Sequence, residues 1–344
     1  MPLPIRTNYP PMEAQSDEVL PIGPEWRYEP KWDGFRCLAF RDGTKLDLRS
    51  KSGQPLARYF PEMVEALLAL GAQKFVLDGE LVIPSGKSLS FDDLLMRLHP
   101  ADSRVQRLAR ETPALFLVFD LLVDERGRSQ AARPLDDRRK SLEGFARRYF
   151  ATAERVRLSP MTRSARTARS WLTGRSGLDG VMAKLGSAPY ASGERTAMKK
   201  IKRLRTADCV VGGFRYASKA KVVGSLLLGL YDDDGLLHHV GFSSSFTAAQ
   251  RVELLGTVEP LVRPPGFTGR APGGPSRWST ERSGEWQPLA PKLVVEVQYD
   301  HFSGERFRHG TKFLRWRPDK DPRQCLMAQV EREARSSLKL LNAR

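Results

Sequence analysis

The stretch RTAMKKIKRLR, residues 195 to 205, limits most strongly what this chain can fold into, because it places six cations in eleven positions with no acid among them. Such a run cannot lie inside a core, so it reads as a linker or as a strand with one cationic face. It also separates two patterns. Upstream, apolar segments alternate between strand-like and helix-like periodicity; downstream, short strand-like segments between turns dominate. A chain of 344 residues is too long for one ordinary core, and two domains, each burying its own apolar surface, are expected. The boundaries that follow are an N-terminal arm over 1–25, a first domain over 26–203, a second over 204–330 and a tail over 331–344.

Charge narrows the partner. Lys plus Arg number 56 against 40 Asp plus Glu, giving a net charge of +16 and a pI near 10.0. That balance favours a polyanion, nucleic acid first and an anionic membrane surface second. The membrane alternative weakens because no run approaches the roughly 20 apolar residues of a spanning helix. The opening MPLPIRTNYPPMEAQSDEV also lacks the apolar core of a signal peptide. Cys37, Cys209 and Cys325 are far apart and odd in number, which argues against a disulfide framework or a cysteine-based zinc site and for a reducing cytoplasm.

Along the chain, the proline-rich start reads as an irregular arm laid on the body or a loose end, with order beginning at Trp26. FRCLAFRDGTKLDLRS alternates across a DG turn, with Phe35, Cys37 and Ala39 on one side and Leu46 and Leu48 returning, which predicts a hairpin entered through a loop holding Lys31. YFPEMVEALLALG predicts a helix with Gly71 as its C-cap. FVLDGELVIP reads as a strand, FDDLLMRL as a short helix, ALFLVFDLLV as a buried strand and PLDDRRKSLEGFARRYF as a helix with a basic outer face. VRLSP, TARSWLTGRSG and GVMAKLG repeat the strand, helix, strand order. Beyond the cationic run, some five strands and the helix TAAQRVELLGTV fit a small OB-type barrel, interrupted by a long mobile loop, PPGFTGRAPGGPSRWSTERSG. The expected fold class is therefore α+β, antiparallel sheets with flanking helices followed by an OB-fold β-barrel.

Several chemistries drop out. SGKS at 85–88 ends like a P-loop, but position 81 is Leu81 where GxxxxGK[ST] requires glycine. No GxGxxG, HExxH or CxxC occurs, and the adjacent His238 and His239 would point to opposite faces of a strand. What remains is EPKWDGFR, residues 29 to 36, where Lys31 is crowded between Glu29 and Asp33. Alone this could be a solvated loop with an ion pair. It is followed in order by RSKSG, LDGELV, FLVFDLL, LDGVMAK, MKKIK and RWRPDK.

That series resembles the ordered motifs of the covalent nucleotidyltransferases, the ATP-dependent DNA ligases and capping enzymes. The RLRTADCVVGGFR and FRHGTKFLRWRPDKDP stretches resemble most closely the small bacterial ligases called LigC, relatives of the ligase part of LigD. The resemblance covers roughly residues 10 to 330. It implies that Lys31 takes AMP from ATP as a phosphoramide and passes it to a DNA 5′-phosphate, which the 3′-hydroxyl then attacks. An amine attacks phosphorus only when unprotonated, so burial or neighbouring cations must depress its pKa.

The resemblance assigns the other residues. Glu29, on the same side of an extended segment as Lys31, reads the adenine amino group as an acceptor. Asp33 shapes the loop and binds the nicked strand, and Gly34 permits a tight turn. Arg36 and Arg49 offer guanidinium forks to ribose, phosphate and the nick termini. Phe119, before Asp120, stacks on adenine, with core packing as the rival explanation; Met182 or Val181 closes the slot. Glu80 and Asp179 are the expected ligands of Mg²⁺ or Mn²⁺. Lys200 and Lys202, on one strand face, aim at the α-phosphate and lower the pKa of Lys31, with Lys184 a weaker candidate. Arg317, Asp319 and Lys320 match the motif that orients pyrophosphate, a role requiring domain motion.

Two departures stand out. Asp179 replaces the usual glutamate, and one methylene less withdraws the carboxylate by roughly 1.5 Å, which favours a water-mediated metal contact. Met198 replaces the usual aromatic and Lys199 is extra, which loosens the expected strand register. Nicked double-stranded DNA is the expected partner and a monomer the expected form, with a repair polymerase or break-bridging protein as a further partner. No additional DNA-encircling domain fits in 25 residues at the start. The alternatives are an RNA ligase or capping-type enzyme, opposed by RxDK, and a non-catalytic OB-type nucleic-acid-binding protein, opposed by the intact Lys31, Glu29, Glu80 and Lys200 set.

Overall fold

The computed structural model describes residues 2–86, 88–173, 178–273, 285–331 and 337–341. Two compact units emerge, the first running to Arg203 and including the terminal 3-10 turn Ser337–Leu341, the second starting at Leu204 and reaching the helix Ala328–Glu331.

The first unit begins with β1 (Gln15–Asp17), β2 (Trp26–Lys31), β3 (Phe35–Asp42) and β4 (Lys45–Ser50). β3 and β4 form the hairpin across Asp42–Gly43, where Gly43 takes a left-handed φ of 65°. α1 (Pro61–Leu68) buries Met63 and Leu67 and ends at Ala69, two residues before Gly71, which is not its cap. Next come β5 (Lys74–Val82), the small hairpin β6 (Pro84–Ser85) and β7 (Ser88–Leu89), and α2 (Phe91–Met96), capped by the Ser90 hydroxyl on Asp93 N. α3 (Asp102–Glu111) was not expected; in DSRVQRLARE only Val105 and Ala109 are buried, too few to mark a periodic face. β8 (Leu115–Val123), α4 (Leu135–Tyr149), β9 (Val156–Leu158), α5 (Ala165–Thr173), β10 (Gly180–Leu185) and β11 (Met198–Lys202) complete the unit.

Two sheets result, one of order β4-β3-β5-β8-β9 and one of order β1-β11-β10-β2. β5 and β8 are buried on both faces, which explains their nearly continuous apolar sequence. Phe75, Leu77, Phe116 and Val118 pack with Met63 and Leu67 of α1 and Leu142 and Phe145 of α4. Val82 and Leu117 pack instead with Tyr28 and Val181 of the other sheet. The basic outer face expected of α4 is only partly present: Arg138 and Arg139 are 2% and 6% exposed, and Arg138 turns inward onto Asp120.

The N-terminal arm is laid on the body, one of the two forms expected of it, but it is not irregular throughout. Ile5, Met12 and Leu20 are buried, and β1 pairs in parallel with β11, so order begins well before Trp26. Covering the β11 edge satisfies backbone groups that would otherwise stay open.

The second unit contains β12 (Arg205–Ala217), β13 (Ala220–Tyr231), β14 (Leu237–Ser243), α6 (Ala248–Val258), β15 (Gln287–Pro288), β16 (Val294–Tyr299), β17 (Phe302–Ser303), β18 (Arg306–Phe307), β19 (Lys312–Trp316) and α7 (Ala328–Glu331). Its main sheet runs β14-β13-β12-β16-β19, and α6 starts with a Thr247–Gln250 capping box. Strand number and the single long helix suit an OB-type barrel. Among the described residues, however, only the bridge Ser243–Thr311 links β14 towards β19, and no ladder closes the sheet. Of the long loop, 274–284 lie outside the described residues, as do Lys87 of SGKS and much of the tail.

Two glycines are fixed by close approach. A Cβ on Gly34 would overlap the Leu81 carbonyl and come within 2.8 Å of Glu80 Cγ, and one on Gly180 would overlap the Ile201 carbonyl oxygen. Gly34 therefore serves packing against β5 rather than a left-handed turn. Gly34→Ala and Gly180→Ala should each lower unfolding free energy by about 1–3 kcal/mol in chemical denaturation. Gly43→Ala, with open space around its Cβ, should cost only about 1 kcal/mol, the left-handed penalty.

Candidate active site

Antiparallel register across β2, β10 and β11 places Glu29, Met182 and Lys200 in one row and Lys31, Gly180 and Lys202 in the next. The two rows share a face because side chains repeat every second residue. Lys31 is thus the last residue of β2, not part of a hairpin loop. The chain then crosses to the other sheet through 32–34, pinned by Trp32 Nε1, which donates to Ser159 Oγ at 2.9 Å. On the far side, β3 and β5 pair Arg36 with Glu80. Phe119 is the extra residue of a bulge, since Asp120 opposes Asp78 and Val118 opposes Gly79; bulges re-aim a side chain in this way.

These side chains meet in a cleft of about 270 Å³ lined by Glu29, Lys31, Arg36, Glu80, Phe119 and Lys200, together with Met182, Lys184, Lys51 and residues 11–14 of the arm. Lys199, on the opposite face of β11, pairs with Asp17 of β1 at 2.8 Å. Met198 is buried at 3% exposure, so the extra lysine leaves the Lys200 and Lys202 register intact.

The Lys31 ammonium touches the Asp179 carboxylate. Burial pushes its pKa down; the Glu80 and Asp33 carboxylates pull it back up, and Lys202 and Lys200 add to the fall. Burial raises Glu80 to about 7 against the opposing pull of Arg36 and Lys31. Lys200 is lowered, first by burial and then by Lys202 and Lys51. The site can therefore present an amine that loses its proton more readily than a solvated lysine, beside a cationic surface.

Glu29 is 1% exposed and accepts from Lys184 Nζ at 2.6 Å through Oε2, while its Oε1 has no partner among the described residues. Lys184 Nζ lies 4.4 Å and Arg36 Cζ 4.6 Å from the Phe119 ring centroid. Of the two candidates for the opposite wall, Met182 lines the cleft and Val181 is fully buried in the core beneath it.

Not every expected residue gathers here. Arg49 bonds Asp47 at 2.6 Å and the Gly53 carbonyl at 3.2 Å and does not line the cleft; Lys51 of the same RSKSG stretch does, 3.1 Å from Glu13. Arg317, Asp319 and Lys320 belong to the second unit. There Asp208 accepts from Arg317 Nη1 at 2.9 Å and Lys320 Nζ at 2.7 Å, and Asp319 takes the other edge of Arg317 at 2.8–2.9 Å. The Arg317 bond holds Asp319 down at about 2.

Sequence reasoning missed Asp78, Tyr190, Arg138 and Asp208. Asp78 bonds Arg36 twice, at 2.5 and 2.6 Å; its position two residues before Glu80 was a usable signal. Asp208 stands out weakly, as a lone acid entering an apolar strand. Tyr190 lies in irregular chain, where no period marks it.

The family models described as "ATP dependent DNA ligase domain" and "ATP dependent DNA ligase C terminal region" match residues 11–202 and 219–320. The chain belongs to the ATP-dependent DNA ligases. It is 42% identical over 356 residues to "DNA ligase C" of Mycobacterium tuberculosis and 43% identical over 356 residues to "DNA ligase C2" of Mycolicibacterium smegmatis, with 98% of each chain covered in both cases. Among solved structures, one of Lig E DNA ligases is 20% identical, covers 90% of this chain and 99% of that one and has a TM-score of 0.55, a likeness of fold.

The Glu80 shift has a signed consequence. A folded-state pKa raised to about 7, against about 4.3 unfolded, gives stability that is complete below the unfolded value and lost as pH rises through 7. In the ligand-free protein Glu80→Gln should match wild-type thermal stability at pH 4 and exceed it at pH 8. A difference independent of pH would contradict a half-buried, proton-retaining Glu80.

Proposed function

We propose that this ATP-dependent DNA ligase seals nicks through a lysyl-AMP intermediate on Lys31. The observation that carries the reading is the depressed Lys31 amine at the meeting point of the two sheets, flanked by Glu80, Asp179, Lys200 and Lys202. The neutral amine attacks the α-phosphorus of ATP, forming a P–N bond as the bond to pyrophosphate breaks. AMP passes to the DNA 5′-phosphate, and the 3′-hydroxyl displaces it.

Glu29 Oε1, buried and without a partner among the described residues, accepts from the adenine amino group. Phe119 stacks on the base and Met182 closes the slot. Arg36 holds ribose and phosphate oxygens, and Lys200 and Lys202 neutralise the α-phosphate. Arg49, outside the cleft, serves the nick termini, while Arg317 and Lys320, with Asp319 fixing the arginine, orient pyrophosphate. Glu80 and Asp179 suit Mg²⁺ or Mn²⁺: both offer hard oxygens, and Glu80 retains a proton that an adjacent cation would displace. Such a cation would offset charge growing on the α-phosphate.

The net charge of +16 supports phosphate contacts along duplex DNA. DNA repair is the proposed setting, with a repair polymerase or break-bridging protein as recruiting partner and a monomer in the cytoplasm as the working form. Among the described residues no helix is long and apolar enough to cross a membrane.

Incubation with α-labelled ATP and a divalent cation should leave label on the denatured protein, with none from GTP and none in Lys31→Ala. Nicked DNA should be sealed in preference to nicked RNA. Label that survives Lys31→Ala would overturn the nucleophile, and preferential RNA sealing would overturn the polymer.

A further inference from the structure

The arm enters the cleft wall at Met12, and the Met12 peptide is gripped from both sides. Its N–H donates to the Tyr190 hydroxyl at 3.0 Å, and that hydroxyl donates to Asp78 Oδ2 at 2.6 Å. Arg36 Nη2 donates to the same Oδ2 at 2.6 Å and to the Met12 carbonyl at 3.3 Å, while Arg36 Nε donates to Asp78 Oδ1 at 2.5 Å. The bonds close into a ring running Met12 N–H, Tyr190, Asp78, Arg36 and Met12 C=O. Asp78, Tyr190 and Met12 are 0%, 5% and 6% exposed. Tyr9, also of the arm, stacks on the Tyr190 ring with centroids 6.1 Å apart.

From this ring we infer that Tyr190 is a positioning residue, one that fastens the N-terminal arm to the nucleotide cleft and, through Asp78, sets the Arg36 guanidinium for the nucleotide. Arg36 spends Nε and Nη2 on the ring, and among the described residues no hydrogen bond engages Nη1. Arg36 lines the cleft, so Nη1 is the donor left for ribose or phosphate oxygens. Burial opposes the Arg36 charge, but the Asp78 carboxylate outweighs it and holds the guanidinium firmly protonated.

Tyr190 itself touches neither base nor phosphate in this scheme. Removing its hydroxyl would orphan the buried Met12 N–H and free Asp78 to rotate, and both effects act on where Arg36 points. Rigid support of this kind decides whether a binding group is held to within the fraction of an ångström that recognition requires. The inference rests on the reading that the cleft takes ATP.

The test uses the full chain. Single-turnover formation of the AMP adduct is followed against ATP concentration for wild type, Tyr190→Phe, Asp78→Asn and the double variant, alongside amide exchange over residues 12–15. Tyr190→Phe should raise the apparent KM for ATP about tenfold, the scale of one charge-assisted hydrogen bond, while the rate at saturating ATP changes less than about twofold. The arm amides should exchange faster, and the double variant should show no higher KM than Asp78→Asn alone, because both act through one ring. An unchanged KM, or a lowered saturating rate at unchanged KM, would overturn the inference. A Tyr190→Phe chain that does not fold also counts against a positioning role; Asp78→Asn with wild-type KM would count against it too. Failure of the wild type to form an adduct, or an adduct that survives Lys31→Ala, would instead contradict the ATP reading of the cleft.

Discussion

One lysine amine, held partly out of water between charges of both signs, is the constraint around which the first unit is arranged. Burial disfavours the ammonium form of Lys31, while Asp179, Glu80 and Asp33 favour it and Lys200 and Lys202 oppose it. Carboxylates without burial would keep the proton on the amine, whereas burial and the two neighbouring lysines shift it towards the neutral form.

The fold supplies this balance through strand register. Lys31 closes β2 in one sheet and Phe35 opens β3 in the other, so Lys31 and Arg36 come from opposite walls with only 32–34 between the two strands. Glycine makes that crossing possible at Gly34, where the backbone packs directly onto β5, and at Gly180, where β10 meets β11. The arm then completes the wall with residues 11–14. Segments distant in sequence share one buried hydrogen-bond ring, so the cleft is built from the arm, β3, β5 and the Tyr190 segment together.

Much of the site was legible because side chains alternate. The spacing of two between Glu29 and Lys31, between Lys200 and Lys202 and between Asp78 and Glu80 carries directly into shared faces. What alternation cannot show is which sheet a strand joins, and Lys31 was accordingly placed in a loop. The proline-rich arm gave no period, so its parallel strand and its buried Met12 were invisible. Gly34 was read as a turn residue because sequence does not reveal what lies 3 Å away. Arg138 looked like surface charge on an amphipathic helix; its partner, Asp120, lies on a strand 18 residues earlier. In the second unit the strand set was legible, whereas the clamp of Asp208 on Arg317 and Lys320 depends on a contact spanning more than a hundred residues.

The reactivity proposed for Lys31 depends on its protonation in the ligand-free protein. Selective ¹³C or ¹⁵N labelling of lysine, with Lys31 assigned by its loss in Lys31→Ala, lets its titration be followed directly by NMR. The midpoint is expected clearly below the ordinary lysine value of 10.5. A midpoint at or above that value would mean that the carboxylates outweigh burial and that the amine is not poised to attack.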